Sequence, residues 1–155
     1  MSENNIEIIP FSSEYTSEIK TLNFEWLEKY FEVEDSDVKT LSNPQKEIID
    51  KGGKIFYAKY QNQIVGTVSL MKIDDFTFEL SKMAVTEKMQ GAGIGKLLMD
   101  YCIAFAKENQ IKKLVLFSNT KLIPAIKMYE NYGFVEVNLG SSIYKRSNIK
   151  MEKVI

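Results

Sequence analysis

Seven residues, Gln90-Gly91-Ala92-Gly93-Ile94-Gly95-Lys96, constrain the fold more than any other stretch of the chain. Before them lies Glu79-Leu80-Ser81-Lys82-Met83-Ala84-Val85, short, apolar-rich and bounded like a strand. After them, Ile94, Leu97, Leu98, Tyr101, Cys102 and Phe105 recur at helical spacing and form one apolar face. The glycines therefore sit where a strand hands over to a helix N-terminus. Such a turn offers unpaired backbone N–H groups and the positive end of the helix dipole, a combination suited to a phosphate. Glycine lets backbone approach an anion closely and adopt φ > 0. The Walker A pattern fails, because Gln90 stands five before Gly95 and Leu97 replaces the magnesium-binding Ser or Thr. The dinucleotide pattern G-x-G-x-x-G fails too, since Lys96 lies three after Gly93. What remains is Q-x-x-G-x-G, carried by Gln90, Gly93 and Gly95. A helix-capping turn rich in glycine for structural reasons alone is the other reading of the same residues.

The absence of histidine narrows the chemistry further. Ser-His-Asp and Cys-His nucleophiles are excluded, as is any His-containing zinc site, and no metal is expected. The single cysteine, Cys102, falls on the apolar helix face and reads as a small buried hydrophobe. Acid–base work then falls to carboxylates, tyrosine, lysine or water. At 155 residues and 45% hydrophobic content, the chain is expected to form one globular domain over residues 1–155. No apolar run reaches the roughly 18 residues that would span a bilayer. The polar start Met1-Ser2-Glu3-Asn4-Asn5 does not read as a signal peptide. A cytoplasmic protein with no membrane partner is the expectation. Net charge of −1 argues against nucleic acid as a partner. That average hides a split: residues 1–37 carry ten acids and two lysines, net −8, whereas residues 38–155 carry eleven acids and eighteen bases, net +7. Most such charges are solvated, but an acidic N-terminal part would suit a cationic amine beside a basic cofactor-binding part.

Along the chain, Ile6–Ile9 reads as a strand ended by Pro10. A helix starts near Ser13 and runs to about Phe31, the acidic stretch Glu32–Asp37 interrupts it, and a shorter helix occupies Val38–Leu41 and Pro44–Asp50. Ile55–Tyr60 and Ile64–Met71 form a hairpin through Gln61-Asn62-Gln63, and Asp74-Asp75 turns the chain into Thr77–Val85. A helix to Glu108, the strand Lys113–Phe117, a helix from near Pro124 to Asn131 capped by Gly133, the strand Phe134–Leu139, the loop Gly140-Ser141-Ser142 and the strand Ile149–Val154 complete the order. The fold class is α/β, one mixed sheet with helices on both faces.

A second block follows the glycine turn by about 25 residues. Asn119 comes after a strand, Ala125-Ile126-Lys127-Met128-Tyr129 lies on a helix, and Gly133-Phe134 begins the next strand. With Q-x-x-G-x-G before it, this block resembles the GCN5-related N-acetyltransferase (GNAT) superfamily, closely over about residues 54–139 and by order of elements elsewhere. The resemblance implies the acyl-CoA N-acyltransferase fold, a central mixed, twisted sheet flanked by helices on both faces. It also implies a bulged strand that splays from its parallel neighbour and takes the pantetheine arm of acetyl-CoA, the co-substrate. Main-chain contacts would come from Met83, Ala84 and Val85. The diphosphate would lie on the amides of Gly91, Gly93, Ile94, Gly95 and Lys96 around Ala92, with Gln90 supporting the turn. Asn119 would bond the pantetheine arm, though a turn or cap role is its plain alternative.

Tyr129 is then the expected general acid, protonating the departing thiolate. Glu79 is the expected base, at a position where part of the family carries one, with ordered water or a merely salt-bridged strand glutamate as alternatives. Strand alternation places Glu79 on the side of Ser81 and Met83. Phe24, Trp26, Tyr30 and Phe31 are mostly core, with one or two expected to line an acceptor pocket. The implied function is transfer of an acetyl group to a primary amine of a small molecule, polyamine or protein by direct attack in a ternary complex. A non-catalytic acyl-CoA-binding module is the alternative, and a small nucleotide-binding domain is disfavoured by the missing Walker residues. A homodimer is an assembly the resemblance allows.

Overall fold

Strand patterning accounts for most of the architecture. In the computed structural model, which describes residues 5–140 and 145–155, seven strands form one sheet: β1 (Ile6–Pro10), β2 (Lys54–Tyr60), β3 (Gln63–Lys72), β4 (Thr77–Val85), β5 (Lys113–Ser118), β6 (Val135–Val137) and β7 (Ile149–Val154). Their order is β1-β2-β3-β4-β5-β7-β6. Every neighbouring pair is antiparallel except β4 with β5. Four α-helices cover the faces: α1 (Thr16–Tyr30), α2 (Asp35–Ser42), α3 (Ile94–Glu108) and α4 (Ile123–Asn131). Among the described residues no helix is long and apolar enough to cross a membrane.

Alternation along β2 divides the core in two. Ile55 and Tyr57 pack with Ile19, Leu22 and Leu27 of α1 and Leu41 of α2. Phe56 and Ala58 point the other way, onto Leu98, Met99 and Cys102 of α3. Because helices cover both faces, the central strands are apolar on both sides, and simple polar/apolar alternation is lost. Burial of each such side chain contributes about 1.5–3 kcal/mol. Cys102 is fully buried and its thiol is pushed up to about 12 by that burial, so the small-hydrophobe reading holds. Gly66 on β3 allows α3 to sit close: an added Cβ would lie 3.0 Å from Ile94 Cγ2 and 3.3 Å from Leu98 Cδ1.

Four boundaries differ from the sequence reading. The acidic stretch after α1 does not separate helices so much as begin one. The Glu34 amide donates to Asp37 Oδ2 at 2.9 Å, α2 starts at Asp35, and acidic groups in its first turn suit the dipole. The segment after Pro44 is a single π-turn, Gln45–Ile49, with the Asp50 amide donating to the Gln45 carbonyl at 2.7 Å. The β2–β3 turn uses two residues, Gln61 and Asn62, both with positive φ, and Gln63 already pairs with Tyr60. Strand β6 is shorter than the expected Phe134–Leu139: Phe134 turns into the core before it, and pairing ends at Val137. Ser141 and Ser142 of the expected loop lie outside the described residues.

Candidate functional site

The sheet opens where β4 and β5 part. They pair only through Thr77, Phe78 and Glu79 against Lys113, Leu114 and Val115. Beyond Glu79, β4 stays on β3 (Ser81 opposite Ser69, Ala84 opposite Thr67), whereas β5 stays on β7 (Leu116 opposite Met151, Ser118 opposite Ile149). The cause is a bulge. Between Ser81 and Ala84, two residues of β4 oppose one of β3, and Lys82 takes φ of 54°. Strand alternation carried past Ser81 would keep Met83 on the side of Glu79. The bulge reverses this: Met83 and Val85 pack with the α3 core, and Ala84 with the α1–α2 core. The resulting gap between β4 and β5 is a cleft of about 330 Å³.

At one end of the cleft stands the glycine turn. Gly93 caps α3 in the left-handed region (φ 82°, ψ 10°), and the Leu97 amide donates to its carbonyl at 3.1 Å. The amides of Ile94, Gly95 and Lys96 therefore open the helix without an intrahelical acceptor. Gln90 Nε2 lies 3.4 Å from the Val85 carbonyl, bracing the turn against the end of β4. The Ile94 side chain is buried against the sheet, and Lys96 is exposed. A Cβ added at Gly91 would meet nothing within 4 Å, and one at Gly95 only Met128 Sδ at 3.8 Å. That open ground over free amides and a helix N-terminus fits a diphosphate, and the unpaired β4 edge fits a chain of amides bound as an added strand. The donor set thus fits acetyl-CoA. Among the described residues no group of three His, Cys, Asp or Glu is arranged to hold a metal.

Tyr129 of α4 also lines the cleft. Its ring packs edge-on to Phe134 at 6.1 Å, and its hydroxyl has no hydrogen bond with any described residue. Burial pushes its phenol up to about 12. Glu79, Met83, Ala84, Val85, Gln90, Gly95, Asn119 and Tyr129 all line this cleft, so most of the expected site is brought together. Gly91, Ala92, Gly93, Ile94 and Lys96 lie in the turn at its end rather than in its walls. Asn119 serves its turn as well: its Oδ1 accepts from the Lys121 amide at 3.0 Å, and its Nδ2 donates to the Arg146 carbonyl at 2.7 Å. Of the four aromatic candidates, Trp26, Tyr30 and Phe31 line the cleft, whereas Phe24 packs in the α1–α2 core.

Sequence reasoning missed a buried charge cluster beside these walls. Asp37 of α2 is fully buried and accepts from Arg146 Nη1 at 2.7 Å and Nη2 at 2.8 Å. Lys82 Nζ approaches Asp37 Oδ1 at 3.4 Å, and Glu34 Oε2 accepts from Arg146 Nη1 at 3.1 Å. Burial alone would raise the Asp37 carboxyl, but the Arg146 bonds, the Glu34 amide and the Lys82 charge together hold it below its usual value. Burial lowers the Lys82 ammonium against the pull of Asp37. Asn23, buried among the apolar residues of α1, donates to the Lys82 carbonyl at 3.3 Å. A polar residue at core spacing on α1 was the one available signal. Part of the acidic N-terminal charge is engaged within the fold: Glu34 and Asp37 hold Arg146, and Glu25 Oε1 accepts from the Glu87 amide at 2.6 Å, while Lys29 pairs with Glu87.

A sequence model described as Acetyltransferase (GNAT) family matches residues 18–134. The N-acetylaspartate synthetase of Danio rerio is 37% identical over 87 residues, covering 56% of this chain and 31% of that protein. The uncharacterized N-acetyltransferase YvbK of Bacillus subtilis (strain 168) is 28% identical over 101 residues, covering 63% of this chain and 65% of that protein. The chain spans less than half the length of the first curated relatives it matches. Among solved structures, a GNAT-family acetyltransferase from Staphylococcus aureus Mu50 superposes with a TM-score of 0.87 at 26% identity, covering 96% of this chain and 98% of that one. A GNAT-family acetyltransferase from Elizabethkingia anophelis, with acetyl-CoA bound, gives 0.66 at 26% identity over 99% of this chain and 100% of that one.

Proposed function

The chain belongs to the acetyltransferase (GNAT) family, and on that premise we propose that it transfers an acetyl group from acetyl-CoA to a primary amine. One observation carries the reading. The open edge of β4 runs from the glycine turn at one end toward Glu79, along a cleft that Tyr129 also lines, so a long thioester bound along it would have an acid and a carboxylate at hand. When bound, acetyl-CoA supplies the activated acyl group and a thiolate leaving group. The chain's own residues do the rest. The amides of Gly91, Gly93, Ile94, Gly95 and Lys96 hold the diphosphate, with Gln90 bracing their turn. Main chain at Met83, Ala84 and Val85 aligns the pantetheine arm, and Asn119 bonds it. Tyr129 lines the cleft with a phenol that burial keeps protonated, and its hydroxyl donates to the departing thiolate. Glu79, only 9% exposed, receives the amine's proton directly or through water. Direct attack in a ternary complex is supported by Cys102, whose buried, protonated thiol is a poor acyl carrier.

The acceptor stays at the level of a primary amine. Trp26, Tyr30 and Phe31 give its end of the cleft aromatic walls, and Glu79 gives it a carboxylate. A thermal-shift measurement with CoA, followed by thiol release from acetyl-CoA with n-butylamine, tryptamine, spermidine and lysine-containing peptides, tests the proposal. Stabilisation by CoA and release with at least one amine class are expected. Stabilisation without release from any amine would favour the binding-module alternative, and no stabilisation by CoA would refute the assignment.

A further inference from the structure

Three charged residues from distant parts of the chain meet at the cleft, Lys82 and Arg146 in its walls and Asp37 between them. Asp37 itself does not line the cleft. On one side it holds the Lys82 ammonium, the side chain of the bulge residue that separates β4 from β5. On the other it holds the Arg146 guanidinium, and the Arg146 carbonyl accepts the hydrogen bond that orients Asn119. The neighbouring amide of Lys145 donates to Glu34 Oε1 at 3.2 Å, so α2 grips this segment by backbone as well as side chain.

This arrangement is poorly explained as a source of stability. Removing charges from water is costly, and buried pairs can often be exchanged for apolar residues without loss. It also accompanies local strain. Lys82 holds a φ of 54°, a conformation that disfavours any side chain, and a glycine at position 82 would avoid that cost. A lysine there gives the bulge a tether that glycine cannot.

We propose that Asp37 is a positioning residue for the pantetheine end of the cleft, acting through Lys82 on the β4 edge and through Arg146 on Asn119. The inference rests on the acyl-CoA reading above and adds to it a third element, α2, as the anchor of both walls. It divides the site in two. The glycine turn is built by β4, α3 and the loop between them and needs nothing from Asp37. The arm-binding rails depend on Asp37 from both sides.

Asp37→Asn keeps the size of the side chain and leaves Lys82 and Arg146 facing a neutral amide. Calorimetric titration with CoA, and separately with adenosine 3′-phosphate 5′-diphosphate (its nucleotide half), reads the two parts of the site apart. The expected result is a rise in the CoA dissociation constant of about tenfold or more, with the nucleotide constant changed less than about twofold. A variant destabilised only in its fold, measured below its melting temperature, would not lose the pantetheine increment selectively. If Asp37→Asn does not fold, the apolar triple Asp37→Leu/Lys82→Met/Arg146→Met should fold and show the same selective loss. CoA affinity within twofold of wild type in either folded variant, or equal weakening toward both ligands, overturns the inference. Wild-type protein that gains no affinity from the pantetheine arm overturns the acyl-CoA reading itself, and this inference with it.

Discussion

Tyr129→Phe removes one hydroxyl from the cleft and leaves the ring against Phe134, so its effect should fall on chemistry rather than packing. The size follows from the environment of the phenol. A solvent-exposed tyrosine near 10 facing a thiol near 8.5 would give up its proton at a cost of roughly 2 kcal/mol. Burial pushes Tyr129 up to about 12. The gap to the thiol becomes about 3.5 units, or roughly 5 kcal/mol at 1.36 kcal/mol per unit. Complete transfer ahead of bond cleavage is therefore expensive. The hydroxyl contributes mainly as a donor that strengthens as charge builds on the sulfur, and a hydrogen bond to a charged group is worth about 1.5–3 kcal/mol. The expected loss in kcat is about 10- to 150-fold, below the upper end of what general acids provide. KM for the amine and the dissociation constant for CoA should move less than about threefold, since the lost bond belongs to the transition state. Steady-state thiol release across amine concentrations, with calorimetry for CoA, measures both. A kcat within about threefold of wild type would remove Tyr129 from the chemistry, and a loss confined to CoA affinity would make it a binding residue.

Three further outcomes are expected. Gly93→Asp should abolish measurable CoA binding by calorimetry, because a carboxylate about 4 Å from a phosphate costs roughly 4 kcal/mol at a surface-like dielectric; the melting temperature should fall by about 2–8 °C, since residue 93 holds a φ of 82° that a side chain disfavours, and retained affinity in the folded variant would refute the phosphate turn. Ser69→Ala should raise the melting temperature by about 2–4 °C in differential scanning calorimetry, because the Ser69 hydroxyl, buried on β3, has no hydrogen-bond partner among the described residues; a lower melting temperature would imply a partner for that oxygen. Fully buried Tyr57, whose phenol burial pushes up to about 12, should make the fold sensitive to alkali: the unfolded phenol loses its proton first, near 10, so stability is intact below about pH 10 and declines toward pH 12. Chemical denaturation of Tyr57→Phe across that range should show a shallower decline, and an unchanged slope would exclude Tyr57 as its source.

Much of the fold was legible because its determinants are local. The hairpin β2–β3, strand β4 and helix α3 announce themselves by period and by the glycines and polar turns between them, and β4, α3 and β7 begin and end where the sequence places them. Errors arose where one composition supports two structures. Glu32–Asp37 reads as a solvated break, yet Glu34 and Asp37 form reciprocal contacts across the first turn of α2, and only the geometry of that turn distinguishes them. Phe134 reads as a strand residue by type, but the chain needs it in the core beneath Tyr129, so β6 starts one residue later.

The site divides along the same line. Gln90, Gly93, Asn119 and Tyr129 lie in short motifs whose chemistry depends on residues a few positions away. Asp37, Lys82 and Arg146 do not: 45 residues separate the first pair and 109 separate Asp37 from Arg146. Charges so distant carry no mutual signal in one sequence, and each alone resembles a surface residue. The misplacement of Met83 has the same root. Alternation is a local rule, and it fails at Lys82 because a left-handed residue was inserted there. What keeps that conformation in place is not local at all, since the side chain is tied to α2 and the carbonyl to Asn23 of α1. The cleft therefore depends on two kinds of information: a turn that the chain specifies in a few consecutive residues, and an opening that exists only once α1, α2, β4 and the segment before β7 have come together.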